Sequence, residues 1–351
     1  MVRPTALWVA PVSNLAGVAR HILDVARVGL PGWRLIVAAP EGPLLEKLRE
    51  HGQAVLPVDI APEVPTLTAV RNLREVVRSV RPALVHTHLA RADLLAAMAT
   101  VGLPVKLVST EHHIPEDRAM FHPNPVERKA MEVIHHLRIR RVSALMAVSE
   151  STRRDMLSYW KPNKGVTVVR NGVDRVSNPV VREPGMRYLS LTRLSHEKNI
   201  EMTLRCFAAV HRQYPEARLT VGGSGPDSEA LQSLAVRLGV KDAVAFPGFI
   251  DAVEAMATHD VLLQPSKSDN LSYTLLDAVA QGMGVAASPI GGNPEILPPH
   301  CIAPLDDDAA FTAVAIEQAQ DVDRRPVLPP SIPAVEEMAA QVVAVYTTLK
   351  G

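Results

Sequence analysis

The sequence predicts an α/β protein of two domains, each built on a doubly wound parallel sheet. Short apolar runs alternate with longer amphipathic stretches in both halves of the chain, which is typical of βαβ units. A length of 351 residues also suits two domains of common size. The alternation breaks across residues 171–185, where Asn-Gly, Asn-Pro and Pro-Gly dipeptides cluster. We therefore predict domains at 1–170 and 171–334, and a last helix within 335–351 that packs back towards the first domain.

The first domain contains five predicted strands, each a short apolar run. They cover residues 6–10, 33–38, 83–86, 105–110 and 144–148. Apolar residues recur at three and four positions in the segments between them, which predicts helices at 18–28, 44–51, 67–80 and 91–101. Such strands are covered by helices on both faces.

The second domain repeats this pattern after the break. Its predicted strands cover residues 187–191, 218–221, 261–264 and 285–287, and its predicted helices cover 199–213, 226–238 and 271–281. Gly282 stands where a helix C-terminal glycine is expected. Ligands of open α/β sheets bind at the carboxyl ends of the strands, so we expect the functional site in a cleft between the two domains.

Composition excludes several classes of protein. Hydrophobic residues make up 47% and charged residues 21% of the chain, so it is neither a disordered tail, a collagen-like fibre nor a coiled coil. The two cysteines, Cys206 and Cys301, are far apart and form no CxxC, which argues against a disulfide framework or a cysteine zinc site. No apolar run approaches the ~20 residues of a membrane-spanning helix. We expect a cytoplasmic protein.

Charge is divided unevenly along the chain. Residues 1–170 carry 23 Lys and Arg against 15 Asp and Glu, whereas residues 171–351 carry 14 against 22. The basic stretch 126–142 predicts an amphipathic helix, which is either an ordinary surface helix or a peripheral contact with an anionic membrane. No aromatic-rich basic platform accompanies it, so we expect no nucleic-acid partner. Paired histidines such as His112 and His113 lack a repeating acidic partner, and we predict no metal site.

Two cations follow the first strand of the second domain. The segment LTRLSHEKN at residues 191–199 places Arg193 and Lys198 between a strand and a helix. A guanidinium and an ammonium beside a helix N-terminus suit a phosphate or diphosphate, although solvated loop charges have the same sequence signature.

The segment at residues 265–282 carries two acids eight positions apart. Asp269 precedes the predicted helix and Asp277 lies within it among apolar residues. The backbone amides of residues 270–272 could hold an anion at the helix N-terminus. The alternative is that Asp269 is an N-cap and Asp277 a partly exposed surface acid. Glycine turns at 222–225 and 291–292 also follow strands and allow close backbone approach.

These motifs, in this order, resemble those of the retaining glycosyltransferases of family 4, which have the two-domain GT-B fold. In the second half the resemblance rests on RLSHEKN, GGSGP, FPGF, the long PSKSDNLS segment and GGNPE; in the first half it rests on AGVARH, HTH, STEH, AVSES and VRNGVD. It covers most of the chain. It implies transfer of a sugar from a nucleotide-sugar donor, most simply a UDP-sugar, to a glycan or lipid-linked acceptor of surface polysaccharide or glycolipid synthesis, without a cofactor or bound metal.

The resemblance also implies roles for individual residues. Arg193 and Lys198 neutralise the leaving diphosphate, together with the backbone of Asn270, Leu271 and Ser272. Asp269 holds donor-sugar hydroxyls and Asp277 the ribose hydroxyls. The remaining positions are His112 near the sugar or acceptor, Gly17 and Gly223 near the diphosphate, and the backbone of Phe249 and Ile250 near the base.

One departure from the family pattern leaves two other functions open. The family carries glutamate at both positions where this chain has Asp269 and Asp277, and aspartate is one methylene shorter. A sugar-nucleotide epimerase of the same fold, or a catalytically silent partner protein, therefore stands beside the transferase.

Overall fold

The computed structural model of the protein describes residues 3–114, 134, 136, 138–175 and 182–350. The chain divides into two compact units. The first unit comprises Met1–Gly172 and Pro333–Gly351, and the second comprises Val173–Ile332. The C-terminal segment thus belongs to the unit formed by the N-terminal part of the chain.

Within its described residues, the first unit has a sheet of seven parallel strands in the order β3-β2-β1-β4-β5-β6-β7. The strands are β1 (Thr5–Val9), β2 (Arg34–Ala39), β3 (Val55–Pro57), β4 (Leu84–His88), β5 (Lys106–Glu111), β6 (Ala144–Ala147) and β7 (Val166–Val168). Strand β1 is central and buried on both faces: Trp8 packs into one apolar core, and Leu7 and Val9 pack into another. This explains why its sequence is a continuous apolar run.

The second unit has a sheet of five parallel strands among its described residues, in the order β10-β9-β8-β11-β12. The strands are β8 (Arg187–Leu191), β9 (Arg218–Gly222), β10 (Val244–Gly248), β11 (Val261–Gln264) and β12 (Gly284–Ala287). Tyr188 and Leu189 of β8 point into separate cores on opposite faces of the sheet. The two parallel-sheet α/β domains predicted from the sequence are confirmed.

The α-helices cover both faces of these sheets. Those whose two ends lie within the described residues are α1 (Gly17–Val28), α2 (Pro43–Glu50), α3 (Thr66–Val80), α4 (Ala90–Ala99), α5 (Glu150–Asp155), α6 (Ile200–Gln213), α7 (Ser228–Arg237), α8 (Ala252–Thr258), α9 (Tyr273–Ala280), α10 (Asn293–Ile296), α11 (Asp308–Gln320) and α12 (Val335–Thr347). Helix α12 buries Met338, Val342 and Tyr346 in the same core as Trp8 and Ile22. This burial fixes the last helix on the sheet of the first unit.

Three strands escape prediction from the sequence: β3, β7 and β10. Each stands at an edge of its sheet, and each has half-exposed or exposed residues instead of a buried run. Without burial on both faces, these segments lack the apolar signature that identifies the central strands.

Candidate active site

Four loops of the second unit leave the same edge of its sheet. They follow β8, β9, β11 and β12, and they carry most of the residues singled out in the sequence. Because the strands are parallel, their carboxyl ends lie side by side. A ligand bound at that edge could therefore contact residues from all four loops.

Close backbone contacts join the loops after β8 and β9. A Cβ on Gly223, whose φ is +128°, would stand 1.9 Å from the carbonyl oxygen of Thr192, and a Cβ on Gly225 would stand 2.1 Å from that of Leu194. Backbone N–H groups of Thr192 and Leu194 donate across the same contact, to Gly222 and Ser224, at 3.0 Å each. Gly223 therefore has a structural role, and its predicted contact with a ligand stays a prediction.

The glycine turn after β12 packs in the same way against the loop after β11. A Cβ on Gly291, whose φ is +57°, would lie 2.2 Å from the carbonyl oxygen of Asp269, and one on Gly292 would lie 2.9 Å from Leu271. The Gly292 N–H also donates to the Asn270 carbonyl at 3.2 Å. The turn therefore packs directly against the backbone segment that carries Asp269 and fixes the position of that segment.

Lys198 and Asp269 form an ion pair between two of these loops. The distance from Lys198 Nζ to Asp269 Oδ2 is 2.9 Å, and the side chains are 19% and 14% exposed. Their separation in sequence is 71 residues, so the pairing depends on the neighbouring positions of β8 and β11 in the sheet. The structure brings together the predicted diphosphate cation and the predicted sugar-binding acid.

Sequence reasoning missed Gln264, the last residue of β11. Its Nε2 donates to Asp269 Oδ2 at 3.2 Å, and its Oε1 accepts from Ser272 Oγ at 3.3 Å. The hydrogen-bond partners of Gln264 become visible only in the structure. The sequence does offer one signal, because an amide at the end of an otherwise apolar strand needs hydrogen-bond partners when it is buried.

The helix after this loop begins later than the sequence predicts. Helix α9 starts at Tyr273, and its N-cap is Ser272, whose Oγ accepts from the Leu275 N–H at 3.4 Å. The alternative in which Asp269 is the N-cap is therefore wrong, because Asp269 Oδ1 accepts instead from the adjacent Asn270 N–H at 3.0 Å. Asn270, Leu271 and Ser272 form the turn before the helix.

Arg193 lies in a different environment from Lys198. Its guanidinium is 67% exposed and pairs with Glu197, and its Nε donates to Ser195 Oγ at 3.2 Å. Burial opposes the charged form of Glu197, but hydrogen bonds from Ser195 and Arg193 outweigh it and lower the pKa of this carboxyl. The two cations thus have separate acidic partners.

The remaining predicted positions of the second unit are near its strand ends or on α9. Phe249 is 83% exposed, and Ile250 is half-buried and would meet a Cβ on Gly222 at 2.6 Å. Asp277 is half-buried on α9. Their predicted contacts with base and ribose stay predictions.

In the first unit, the two predicted residues differ in exposure. Gly17 is the first residue of α1 and is exposed, and a Cβ there would meet nothing within 4 Å. His112 follows β5 and is only 4% exposed. A ligand can approach the backbone at Gly17, whereas His112 is held within a polar cluster.

That cluster contains four histidines: His21, His86, His88 and His112. His88 Nδ1 lies 2.9 Å from His112 Nε2, so one nitrogen donates and the other accepts. His21 Nδ1 lies 3.3 Å from Asn171 Oδ1, and its ring stacks on Trp8. All four rings are buried, and contacts between neighbouring rings fix their orientations.

Hydrogen bonds fix the tautomer of His86. The Trp8 indole can only donate, and its Nε1–H reaches Tyr346 Oη at 2.8 Å. Among the described contacts, His86 Nδ1, at 2.6 Å, is the acceptor available to the Tyr346 hydroxyl hydrogen, so Tyr346 donates to it, and His86 Nε2–H donates to Thr110 Oγ1 at 2.7 Å. The C-terminal helix, through Tyr346, thus orients a ring in the middle of β4.

Burial keeps the four histidines neutral. Desolvation lowers the pKa of His21 to about 4, against a small opposing effect of its hydrogen bond with Asn171. Desolvation, followed by repulsion among the rings, lowers the pKa of His86, His88 and His112 well below the ordinary value. At neutral pH the cluster carries no charge.

A buried ion triad lies beside this cluster. Arg138 pairs with Asp93 and, at 3.0 Å, with Glu111, and all three side chains are at most 5% exposed. Thr87 and Ser109 donate to Asp93 as well. Burial raises the pKa of both acids, although the Arg138 charge opposes it. The triad anchors the end of β5, one residue before His112.

Most of the basic stretch 126–142 lies outside the described residues. Of its five cations, Arg128 and Lys129 are not described, and Arg140 is exposed. Arg138 is 1% exposed in the triad, so the prediction that this residue belongs to a surface-facing basic helix is wrong. The two buried acids explain the difference, since they compensate the charge.

No group of three His, Cys, Asp or Glu side chains in the described part of the chain is placed to hold a metal ion. None of the helices described is long and apolar enough to cross a bilayer.

The fold and the strand-end site define the class of protein. The structure of HepE from Anabaena in complex with UDP-glucose aligns with a TM-score of 0.77 at 16% identity, covering 98% of this chain and all of that one. Sucrose-phosphate synthase from Thermosynechococcus elongatus aligns with the same score and identity over 99% of both chains. The protein has the GT-B fold of glycosyltransferases.

Sequence comparison gives the family. Residues 186–321 match the model of glycosyl transferases group 1, and residues 15–176 match that of glycosyltransferase family 4. The chain belongs to glycosyltransferase family 4.

Characterised relatives differ in what they are named for. A 2-deoxystreptamine N-acetyl-D-glucosaminyltransferase from Streptomyces fradiae is 26% identical over 88% of this chain and 80% of its own length. Glycogen synthase of Mycobacterium tuberculosis is 27% identical over 61% of this chain, and the match spans 54% of the synthase. The family assignment favours transfer over the epimerase and the silent partner.

Proposed function

We propose that the enzyme is a retaining, metal-independent transferase that takes its sugar from a UDP-sugar. The Lys198–Asp269 pair at the strand ends carries this proposal, because it sets a cation for a diphosphate beside an acid for sugar hydroxyls. The HepE structures with UDP and UDP-glucose, which share the fold, support the choice of nucleotide.

Lys198 can bind a diphosphate without leaving Asp269. An ammonium group has three N–H donors, and the 2.9 Å contact with Asp269 uses one of them. The others are available to phosphate oxygens. Arg193, which is two-thirds exposed, can add a second contact by turning from Glu197.

The proposed chemistry places charge where these cations lie. When the bond between the sugar C1 and the diphosphate oxygen breaks, its electrons remain on the diphosphate, whose charge Lys198 and Arg193 neutralise. For retention, the acceptor oxygen bonds to C1 on the face that the diphosphate leaves, and its proton passes to the departing phosphate oxygen. Lys198, which Asp269 already holds in place, stabilises this charge without reorganisation, whereas Arg193 must first turn from Glu197.

Neutralisation by side chains makes a divalent cation unnecessary in this proposal. In this proposal His112, held by its polar cluster, contacts the donor sugar or the acceptor. Asp277 binds the ribose hydroxyls of the nucleotide.

The acceptor is proposed to be a hydroxyl of a glycan or a lipid-linked molecule at the inner membrane face. One relative, 26% identical over 63% of this chain, is named an alpha-monoglucosyldiacylglycerol synthase, from Streptococcus pneumoniae. The excess of positive charge in residues 1–170 supports association with an anionic surface.

A donor panel tests the proposal. Purified protein is incubated with UDP-, GDP- and ADP-sugars, with and without lipid and glycan acceptors, and released nucleotide is measured. We expect release from a UDP-sugar, no loss in EDTA, and a product whose anomeric configuration by NMR equals that of the donor. An inverted product, or activity lost in EDTA and restored by Mg²⁺ or Mn²⁺, would contradict it.

A further inference from the structure

Gln264 is a buried amide at the end of a strand that is otherwise apolar. Val261, Leu262 and Leu263 of β11 are at most 1% exposed, and Gln264 is 7% exposed. An amide without hydrogen bonds at such a position would cost free energy. Both ends of this amide are bonded, which ties it to the loop after β11.

The direction of the amide follows from its neighbours. Ser272 Oγ accepts from the Leu275 N–H, so its own hydroxyl hydrogen is available to donate to Gln264 Oε1. That contact turns the NH₂ end of Gln264 towards Asp269. The reverse orientation would set Gln264 Oε1 against a carboxylate oxygen of Asp269, and neither oxygen could donate. A hydrogen-bond chain therefore runs from the first turn of α9 to the acid.

This chain determines which acceptor positions of Asp269 remain open. Oδ2 accepts from both Lys198 and Gln264, which occupies its two lone pairs. Oδ1 accepts from the Asn270 N–H, which leaves one lone pair. An aspartate is short and cannot bend away from these partners as a longer acid could. Among the described contacts, a single acceptor direction is left.

The geometry points to Gln264 as a positioning residue that restricts Asp269 to one hydroxyl of the donor sugar. This inference rests on the proposed function, in which Asp269 binds that sugar. Gln264 acts through Asp269 and makes no contact with the reacting atoms. It sets the orientation of the carboxylate, and with it the sugar hydroxyl that the enzyme requires.

The test compares Gln264→Met, which keeps side-chain length and removes both hydrogen bonds, with wild type. The matched control is Gln318→Met, which removes another fully buried amide of the same unit, bonded to Val285 and Arg324. Loss of a hydrogen bond to a charged group predicts a tenfold to hundredfold fall in kcat/KM with the UDP-sugar, at about 1.4 kcal/mol per tenfold. The Kd for UDP, which has no sugar, should stay within about twofold.

Two further readouts separate positioning from general support of the fold. With monodeoxy analogues of the donor sugar, wild type should lose activity sharply for one hydroxyl, and Gln264→Met should lose that discrimination. In an Asp269→Asn background, Gln264→Met should lower kcat/KM little further, because the carboxylate through which Gln264 acts is already gone. An equal fall in both backgrounds, or an unchanged deoxy profile in a folded and active Gln264→Met protein, would overturn the inference.

A second variant keeps the test valid if Gln264→Met does not fold. Gln264→Glu keeps the shape and replaces the donor to Asp269 by an oxygen, so the same fall is expected from repulsion. A wild-type protein inactive with every nucleotide sugar would overturn both the proposed function and this inference. An active wild type with an unaffected Gln264→Glu would overturn the inference alone.

Discussion

The first unit of this protein contains a buried ion triad, and the second contains an ion pair between loops; the two differ in exposure and in how many of their hydrogen-bond donors are already used. Lys198 and Asp269 are 19% and 14% exposed, and the lysine retains donors for a ligand. Arg138, Asp93 and Glu111 are at most 5% exposed, and their charges are directed at one another. The ion pair suits binding, whereas the buried triad fixes the backbone beside His112.

The largest expected effect is on stability, at the buried triad. Arg138→Met would leave two acids buried without their cation, and removal of one partner from a buried ion pair costs about 3 to 5 kcal/mol. Urea unfolding measures this loss. Arg140→Met, at an exposed neighbouring position, should change the free energy of unfolding by less than about 0.5 kcal/mol. An equal effect of the two substitutions would show that the triad does not stabilise the fold.

The next largest effect is on catalysis, at Asp269. Asp269→Asn should lower kcat/KM with a UDP-sugar by at least about tenfold, because a charge-assisted hydrogen bond to the sugar is weakened. The affinity for UDP alone should change little. Asp242→Asn, an exposed acid of the same unit, is the control. A loss of UDP affinity as large as the loss of kcat/KM would argue against a sugar-specific role.

The histidine cluster predicts a dependence of stability on pH. The pKa of His21 falls from 6.5 to about 4 on burial, so between these values the unfolded chain binds a proton that the folded protein does not. This histidine therefore lowers the free energy of unfolding by about 1.4 kcal/mol for each pH unit below 6.5. Asp93 and Glu111, whose pKa values rise on burial, act in the opposite sense.

A difference measurement isolates the histidine. In His21→Phe, the fall in unfolding free energy between pH 6 and pH 5 should be smaller than in wild type by about 1.4 kcal/mol. Equal slopes in wild type and His21→Phe would mean that His21 binds its proton in the folded protein.

The smallest effect is expected at Arg193. Its guanidinium is two-thirds exposed and is screened by water, so Arg193→Ala should lower the free energy of unfolding by less than about 1 kcal/mol. The kcat/KM of Arg193→Ala with a UDP-sugar should fall by less than about tenfold. A loss as large as that of Lys198→Ala would show that Arg193 turns fully towards the diphosphate when the donor binds.

The comparison also shows what a sequence can predict. Central strands such as β1 and β8 are buried on both faces, so apolar runs identified them, and parallel order then placed Lys198 and Asp269 at one edge. The Arg138 triad joins residues 45 and 27 positions apart, and no local pattern reports such contacts. Arg138 therefore looked like a surface cation.

The sequence also did not indicate which residue caps α9 or what Gln264 contacts. Ser272 rather than Asp269 caps α9, because the chain makes one more turn before the helix. Gln264 gains its role only when the register sets its amide between Asp269 and Ser272. The motif glycines predicted close backbone approach, and at Gly223 and Gly291 the approaching backbone is that of Thr192 and Asp269.

Calorimetric titration of UDP into wild type and Lys198→Ala tests the central claim most directly. UDP carries the diphosphate without the sugar, so loss of the ammonium should weaken its binding by about tenfold or more, since a hydrogen bond to a charged group contributes about 1.5 to 3 kcal/mol. Lys241→Ala, an exposed lysine of the same unit, should bind UDP as wild type does. Equal UDP affinity in wild type and Lys198→Ala would contradict the account.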